Sequence, residues 1–417
     1  MSCTIHSEIK MSASDRQVLR KLAGRAAELA AREEEQEKQT LWRKHNALEA
    51  VRPLVFCDPE NGWNEIIPSE SLECQGELAR EWEIYLRKEI FWGEKMRDDR
   101  VIIPHFKVRH IASESGWGVD IRRIGGSSGG SYIVDAPIKT PDDISRLKFT
   151  EITVDWDATN QLLELADNVL GDLMTVKLHT DWWWTLGLTY ELMHLRGLEQ
   201  MMIDMVEAPD NIHKMMRILR DGTIAKLDYL ETNGLLCLNN DGDYVGSGGF
   251  GWSNELPQPD FSGQVRTIDM WGFAESQETV SVSPTMFEEF VFQYQLPILS
   301  RFGLNCYGCC EPLDTRIHII KRIPRLRRVS VSPWSNVETM AEALGDKYIF
   351  SMKPNPADLA APTFDENRIR EGLRRALEKT RGCRVEIIMK DCHTINHDPN
   401  RVIIWTQIAL EEAERIC

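Results

Sequence analysis

The sequence predicts an α/β fold, a (β/α)₈ TIM barrel over residues 101–417 preceded by a helical extension over residues 1–100. Two observations predict it. Short β-rich runs alternate with amphipathic helical stretches, the pattern of a parallel sheet. Nearly every run also ends in chemically capable side chains, as strands do that deliver to the C-terminal face of a barrel. An open doubly wound sheet shares the alternation, and the convergence of polar run ends favours the barrel. The 417 residues leave room beyond the roughly 250 that a barrel needs.

The first element is a helix starting at Ser14, where Ser14 and Gln17 read as a capping box. Leu19, Leu22, Ala26 and Leu29 follow at helical spacing, as on an amphipathic helix over the body or a partner subunit. It is expected to fade into the charged run REEEQEKQ. A second helical stretch spans Leu78 to Arg97, and the extension is read as able to supply one barrel strand, Pro53–Phe56. The remaining expected strands are Met174–His179, Leu235–Leu238, Met270–Phe273, Leu304–Tyr307, Arg328–Ser332, Tyr348–Ser351 and Val385–Met389. Helices between them have readable starts, such as Ser283 as cap with Pro284 at the first helical position.

The formal charge of −16 argues against nucleic acid or an anionic membrane as partner. The N-terminus shows no apolar signal core, and no run of about 18 uncharged apolar residues occurs. A cytoplasmic enzyme is expected, with a homodimer left open. The ten cysteines are scattered, which favours thiols or metal ligands over disulfides.

Gly246–Gly251 matches G-x-G-x-x-G, but no strand leads tightly into it and no helix follows, so a dinucleotide site is rejected. It reads as a turn or a mobile loop over the site, as does Gly125–Gly130. The strongest chemical signal is Tyr307-Gly-Cys309-Cys310-Glu311 taken with Lys390-Asp391-Cys392-His393. Thiols at two strand ends suit zinc, or else pack a crowded barrel mouth. His179 precedes Asp181-Trp182-Trp183-Trp184, and three consecutive tryptophans cannot all face one core. One should line a cavity or an interface, where a flat aromatic ligand would stack. Glu275 and Glu278 offer an acid, a base or a hard ligand, or an ordinary ion pair. Lys353 suits a carboxylate, or is simply solvated.

The run Trp271-Gly-Phe-Ala-Glu275-Ser-Gln-Glu278, then Ser283–Val291 and Tyr307–Leu313, resembles the uroporphyrinogen decarboxylase superfamily. It is most similar to the branch of corrinoid-dependent methyltransferases and O-demethylases. Val329–Pro333, Lys353–Pro356 and Met389–Thr394 continue the likeness. The N-terminal arginine-rich signature of the true decarboxylases is missing, so porphyrin synthesis is not expected.

The resemblance implies a zinc site. Its His-x-Cys motif falls on Tyr307 and Cys309 and its late cysteine on Cys392, so one inherited ligand is missing. Cys310, Glu311 or Glu275 are the candidates to complete a set. It further implies a methyltransferase that demethylates a small methoxylated, aromatic substrate and passes the methyl to the cob(I)alamin of a separate corrinoid protein. In that reading His393, Glu275 and Tyr307 are the catalytic candidates. His179, Trp182, Trp183, Glu278, Lys353 and Asp391 bind substrate, while Cys309, Cys392, Cys310 and Glu311 hold the metal. The alternatives are methyl transfer from a methylcobamide to tetrahydrofolate or a thiol, a metal-free decarboxylase of another small acid, and a non-catalytic corrinoid-binding protein.

Overall fold

A computed structural model describes residues 9–126 and 132–416. Of the expected Gly125–Gly130 turn, residues 127–130 lie outside the described residues. Helix α1 spans Ala13–Ala30, and its cap is Ser12, whose side chain accepts from the Asp15 amide. The cap thus lies two residues before the predicted Ser14. Leu19, Ala23, Ala26 and Leu29 are fully buried. Leu19, Ala23 and Ala26 close a satellite core with Leu78, Trp82 and Leu86 of the helix Glu77–Phe91 and with Leu162 and Val169, whereas Leu29 joins the main core. The charged run does not end the helical region. It opens α2, Glu33–Asn46, with three glutamates in the first turn and Arg43, Lys44 and His45 in the last, the order that the helix dipole favours.

Eight strands run parallel within two sheets. They are β1 (Leu54–Cys57), β2 (His105–Val108), β3 (Thr175–Leu178), β4 (Trp271–Ala274), β5 (Leu304–Tyr307), β6 (Leu326–Val331), β7 (Ile349–Met352) and β8 (Arg384–Met389). Six form one sheet in the order β1-β8-β7-β6-β5-β4. Phe56 lies opposite Ile388, Val329 opposite Phe350, and Phe273 opposite Cys306. The other two, β2 and β3, pair separately. β1, β4, β5 and β7 are buried along their whole length, as strands covered on both faces must be.

Among the described residues no ladder joins the two sheets, so the predicted closed ring is not drawn by main-chain hydrogen bonds. The predicted strand Leu235–Leu238 is not a strand. Side chains do the bridging there instead. The Cys237 thiol reaches the Leu178 carbonyl at 3.7 Å. The Asn239 amide donates to the Trp271 carbonyl at 3.1 Å and accepts from its amide at 2.9 Å. The sequence reading missed β2, whose His-Phe-Lys-Val alternation buries only Phe106 and Val108.

The glycine-rich segment is not a loop over the site. Tyr244–Val245 and Gly249–Phe250 pair as a short ribbon, and Val245, Ser247 and Phe250 are buried. A Cβ at Gly246 would come within 2.8 Å of Cys306 Cβ, and one at Gly248 within 2.5 Å of Ile388 Cγ2. One at Gly249 would overlap the Arg328 guanidinium. The segment therefore packs against β5, β6 and β8, and glycine is required because backbone replaces side chain there. Among the described residues no helix is long and apolar enough to cross a membrane.

Candidate functional site

The end of β5 turns at Gly308, whose φ of +92° lies in the left-handed region, and delivers Cys309 to a buried polar cluster. The Cys309 amide donates to Glu311 Oε2 at 2.8 Å, and Ser330 Oγ donates to the Cys309 carbonyl at 2.9 Å. Ser247, carried in by the glycine segment, donates to Cys309 Sγ at 3.3 Å. Lys390 at the end of β8 donates to Ser247 Oγ at 3.3 Å. Its ammonium stands 3.5 Å from Asp391 and 3.6 Å from Glu60. Cys310 Sγ lies 3.5 Å from Cys309 Sγ and donates to Asp391 Oδ2 at 3.2 Å. The contact with Cys310, with help from Lys390 and Ser247, outweighs burial and lowers the Cys309 pKa. The same contact and burial raise Cys310.

The predicted metal ligands do not come together as one set. Cys309 and Cys310 touch, but Cys392 is buried with its thiol at 3.6 Å from the Lys390 carbonyl. Burial, reinforced by Glu60 and Asp58, holds Cys392 as a thiol. Both Glu311 oxygens are occupied by main-chain amides, those of Ser276 at 2.9 Å and Cys309 at 2.8 Å. Among the described residues no group of three or more His, Cys, Asp or Glu side chains is disposed to hold a metal ion. A catalytic zinc needs three such ligands, so the residues present do not fit one.

Carboxyl groups gather at the end of β4. Glu275 is fully buried. Its Oε2 accepts from the Gln277 amide at 2.8 Å, and its Oε1 has no hydrogen-bond partner among the described residues. Burial, then the neighbouring charges of Glu278 and Glu311, lift its pKa well above the carboxylate range. Burial thus favours the protonated, neutral form of the Glu275 carboxyl. Glu278 accepts from Thr189 Oγ1 at 2.7 Å. Tyr307 lies beside these carboxyls, within reach of Glu311, Ser276 and Glu275, and its hydroxyl donates to Gln295 at 2.8 Å in the helix Gln293–Leu299. His393 is exposed, with Nδ1 3.5 Å from the Asn61 amide nitrogen.

The tryptophan run follows β3 and lies along β4, where the Leu186 amide donates to the Phe273 carbonyl at 2.9 Å. Gly187 then passes so close to Glu275 that a Cβ there would reach 2.9 Å from Oε1. The three indoles have different fates. Trp182 donates to the Leu235 carbonyl at 2.8 Å, and Trp183 packs edge-on against Phe302 at 6.0 Å. Trp184 is 44% exposed and stands edge-on to Tyr190 at 5.6 Å and Phe273 at 6.3 Å. Trp184 is the most open of the three, and Trp182 and Trp183 are half-buried. His179 Nε2 lies 3.1 Å from Asp243 and 3.5 Å from Asp181.

A third cluster crosses the sheet. Arg328 on β6 pairs with Glu386 on β8 at 2.8 Å, and both are buried. His45 of α2 lies 3.2 Å from Glu386, and Ser351 donates to Glu386 at 2.6 Å. Lys353, only 5% exposed, donates to Ser351 Oγ at 2.7 Å. Burial pushes its ammonium down to about 7. The sequence reading left Ser247, Arg328 and Glu386 without roles. The signal for the last two was a charge set among the buried apolar residues of a strand.

No family model matches the chain, and no curated relative does. Among solved structures the chain is similar to a methyltransferase from Methanosarcina mazei. The two share 11% sequence identity over 90% of this chain and 97% of that chain, with a TM-score of 0.49.

Proposed function

We propose that the chain is a methyltransferase that removes the methyl group of a small methoxylated aromatic substrate and passes it to the corrinoid of a separate protein. Glu275 is the observation that carries this reading. A buried carboxyl whose surroundings favour its protonated form, with one oxygen unpartnered, stands at the strand end beside which the exposed Trp184 packs on Phe273. An aryl ether oxygen leaves poorly as a bare phenolate. As the methyl carbon–oxygen bond breaks, its electron pair moves to that oxygen, which takes the Glu275 proton. The resulting carboxylate faces Glu278 and Glu311, so the proton is regained once product departs. Trp184 holds the ring, and Gly187 sets the depth of the acid. The corrinoid would supply the nucleophile for the methyl carbon. No step needs a zinc ion, in keeping with a donor set that does not assemble.

The test is anaerobic incubation of the full chain with methoxyphenols, methoxybenzenes and reduced corrinoid, both free cob(I)alamin and corrinoid proteins. Appearance of methylcobalamin absorbance together with the demethylated phenol supports the reading. Absence of both across the panel counts against it. The cations Lys353 and Lys390 favour a second reading, a metal-free decarboxylase of a small acid. Release of carbon dioxide from an acid panel with no methyl transfer would select it.

A further inference from the structure

We propose that Cys309 and Cys310 form a peroxide-oxidisable dithiol that closes reversibly into a disulfide between adjacent residues. The proposal does not depend on the methyl-transfer reading. The two sulfurs already lie 3.5 Å apart, and neither is held away by a metal-ligand set. Each has the neighbour its step requires. Cys309 Sγ accepts from Ser247, which is in turn bonded by Lys390, so anionic sulfur is stabilised there. Cys310 Sγ donates to the Asp391 carboxylate and is only partly buried, which leaves this side open to a small oxidant. Among the other described thiols, Cys57 and Cys392 are buried and held in the thiol form by burial, and burial also raises Cys237 and Cys383.

The chemistry balances with hydrogen peroxide as the oxidant. The Cys309 thiolate attacks one peroxide oxygen, the O–O bond breaks, and the departing hydroxide takes a proton from Lys390 to leave as water. Cys309 becomes a sulfenic acid. Cys310 then gives its proton to Asp391 and attacks Cys309 Sγ. The sulfur–oxygen bond breaks, and the hydroxyl leaves as water with the Asp391 proton. Lys390 is reprotonated from solvent. In sum, two thiols and one peroxide yield one disulfide and two waters. Adjacent Cα atoms sit about 3.8 Å apart, shorter than the roughly 4.4–6.8 Å that disulfides prefer. The bond is therefore strained and easily reduced, as regulatory disulfides are.

The experiment exposes the full chain to hydrogen peroxide and maps the peptide holding residues 309 and 310 by mass. The expected result is loss of two hydrogens from that peptide alone, reversed by a phosphine reductant. Cys310→Ser should stop at a sulfenic acid on Cys309 that dimedone captures, and Lys390→Met should slow the first step several-fold. Phenylarsine oxide, which bridges two close thiols, should bind wild type and neither single cysteine variant. That measurement stands even where a substitution harms folding, because wild-type protein pre-oxidised with peroxide should refuse the arsenical. Oxidation that runs to sulfinic acid without the two-hydrogen loss would overturn the proposal. So would a disulfide from either residue to any other cysteine.

Discussion

Arg328 and Glu386 face each other across β6 and β8 with two contacts, at 2.8 and 3.1 Å, and neither reaches solvent. Asn46 accepts from the same guanidinium at 2.8 Å, so the pair ties the helical extension to the sheet. Removing one partner of such a pair leaves a buried charge uncompensated, at a cost of about 3–5 kcal/mol. Glu386→Ala is expected to lower the melting temperature by about 3–6 °C in calorimetry. Burial would raise the Glu386 pKa, but Arg328 and His45 hold it below the usual carboxylate value. Its stabilisation is thus present above the unfolded pKa and lost as pH falls through the folded one.

Lys353 has the opposite pH signature. Its amine titrates at about 7 in the fold because burial disfavours the charge, against 10.5 in the exposed state. Between those values the unfolded chain holds a proton that the folded chain has shed, so stability rises with pH across that window. The rise should amount to a few kcal/mol on the order expected for such a shift. Denaturant titrations at pH 7 and 10 should show it in wild type, and Lys353→Met should flatten it.

Gly249 and Gly24 should respond to alanine in opposite directions. At Gly249 the new methyl meets a guanidinium pinned by Glu386 and Asn46, and overpacking of this kind costs about 1–3 kcal/mol. At Gly24, inside α1, nothing lies within 4 Å of the added carbon. There the gain in helix propensity should stabilise by up to about 1 kcal/mol. Urea midpoints of the two variants check both signs.

Much of this architecture was legible in the sequence because apolar runs and caps are local signals. Ser283 does accept from the Met286 amide with Pro284 at the first helical position, and Leu54–Cys57 does join the sheet, beside β8. Leu235–Leu238 misled because its apolar run is that of a strand, whereas Asn239, just beyond it, occupies the main chain of Trp271. The site was legible in residue types more than in partners. Cys309, Cys310 and Asp391 do meet, whereas Cys392, two residues beyond Lys390, does not join them. The glycine segment looked like a surface loop because glycine reports backbone freedom without saying what the backbone is pressed against.

Trp184 supplies a test of substrate position that leaves the fold intact. The indole is half exposed, so Trp184→Ala should change stability by no more than about 0.5 kcal/mol. Losing one aromatic stack worth about 0.5–1.5 kcal/mol should raise KM for a methoxylated aromatic by roughly 3- to 10-fold. Steady-state kinetics alongside a melting curve separate the two effects.

The most direct measurement compares wild type with Glu275→Gln in anaerobic methyl transfer to reduced corrinoid, using methoxyphenols whose ring substituents make the phenolate a progressively better leaving group. An acid at this position predicts a loss of about 10²–10⁴-fold in kcat for the variant on poor leaving groups. The loss should shrink steadily as the leaving group improves. Equal rates for the two proteins, or a loss that ignores the leaving group, would contradict the role of Glu275 on which the account rests.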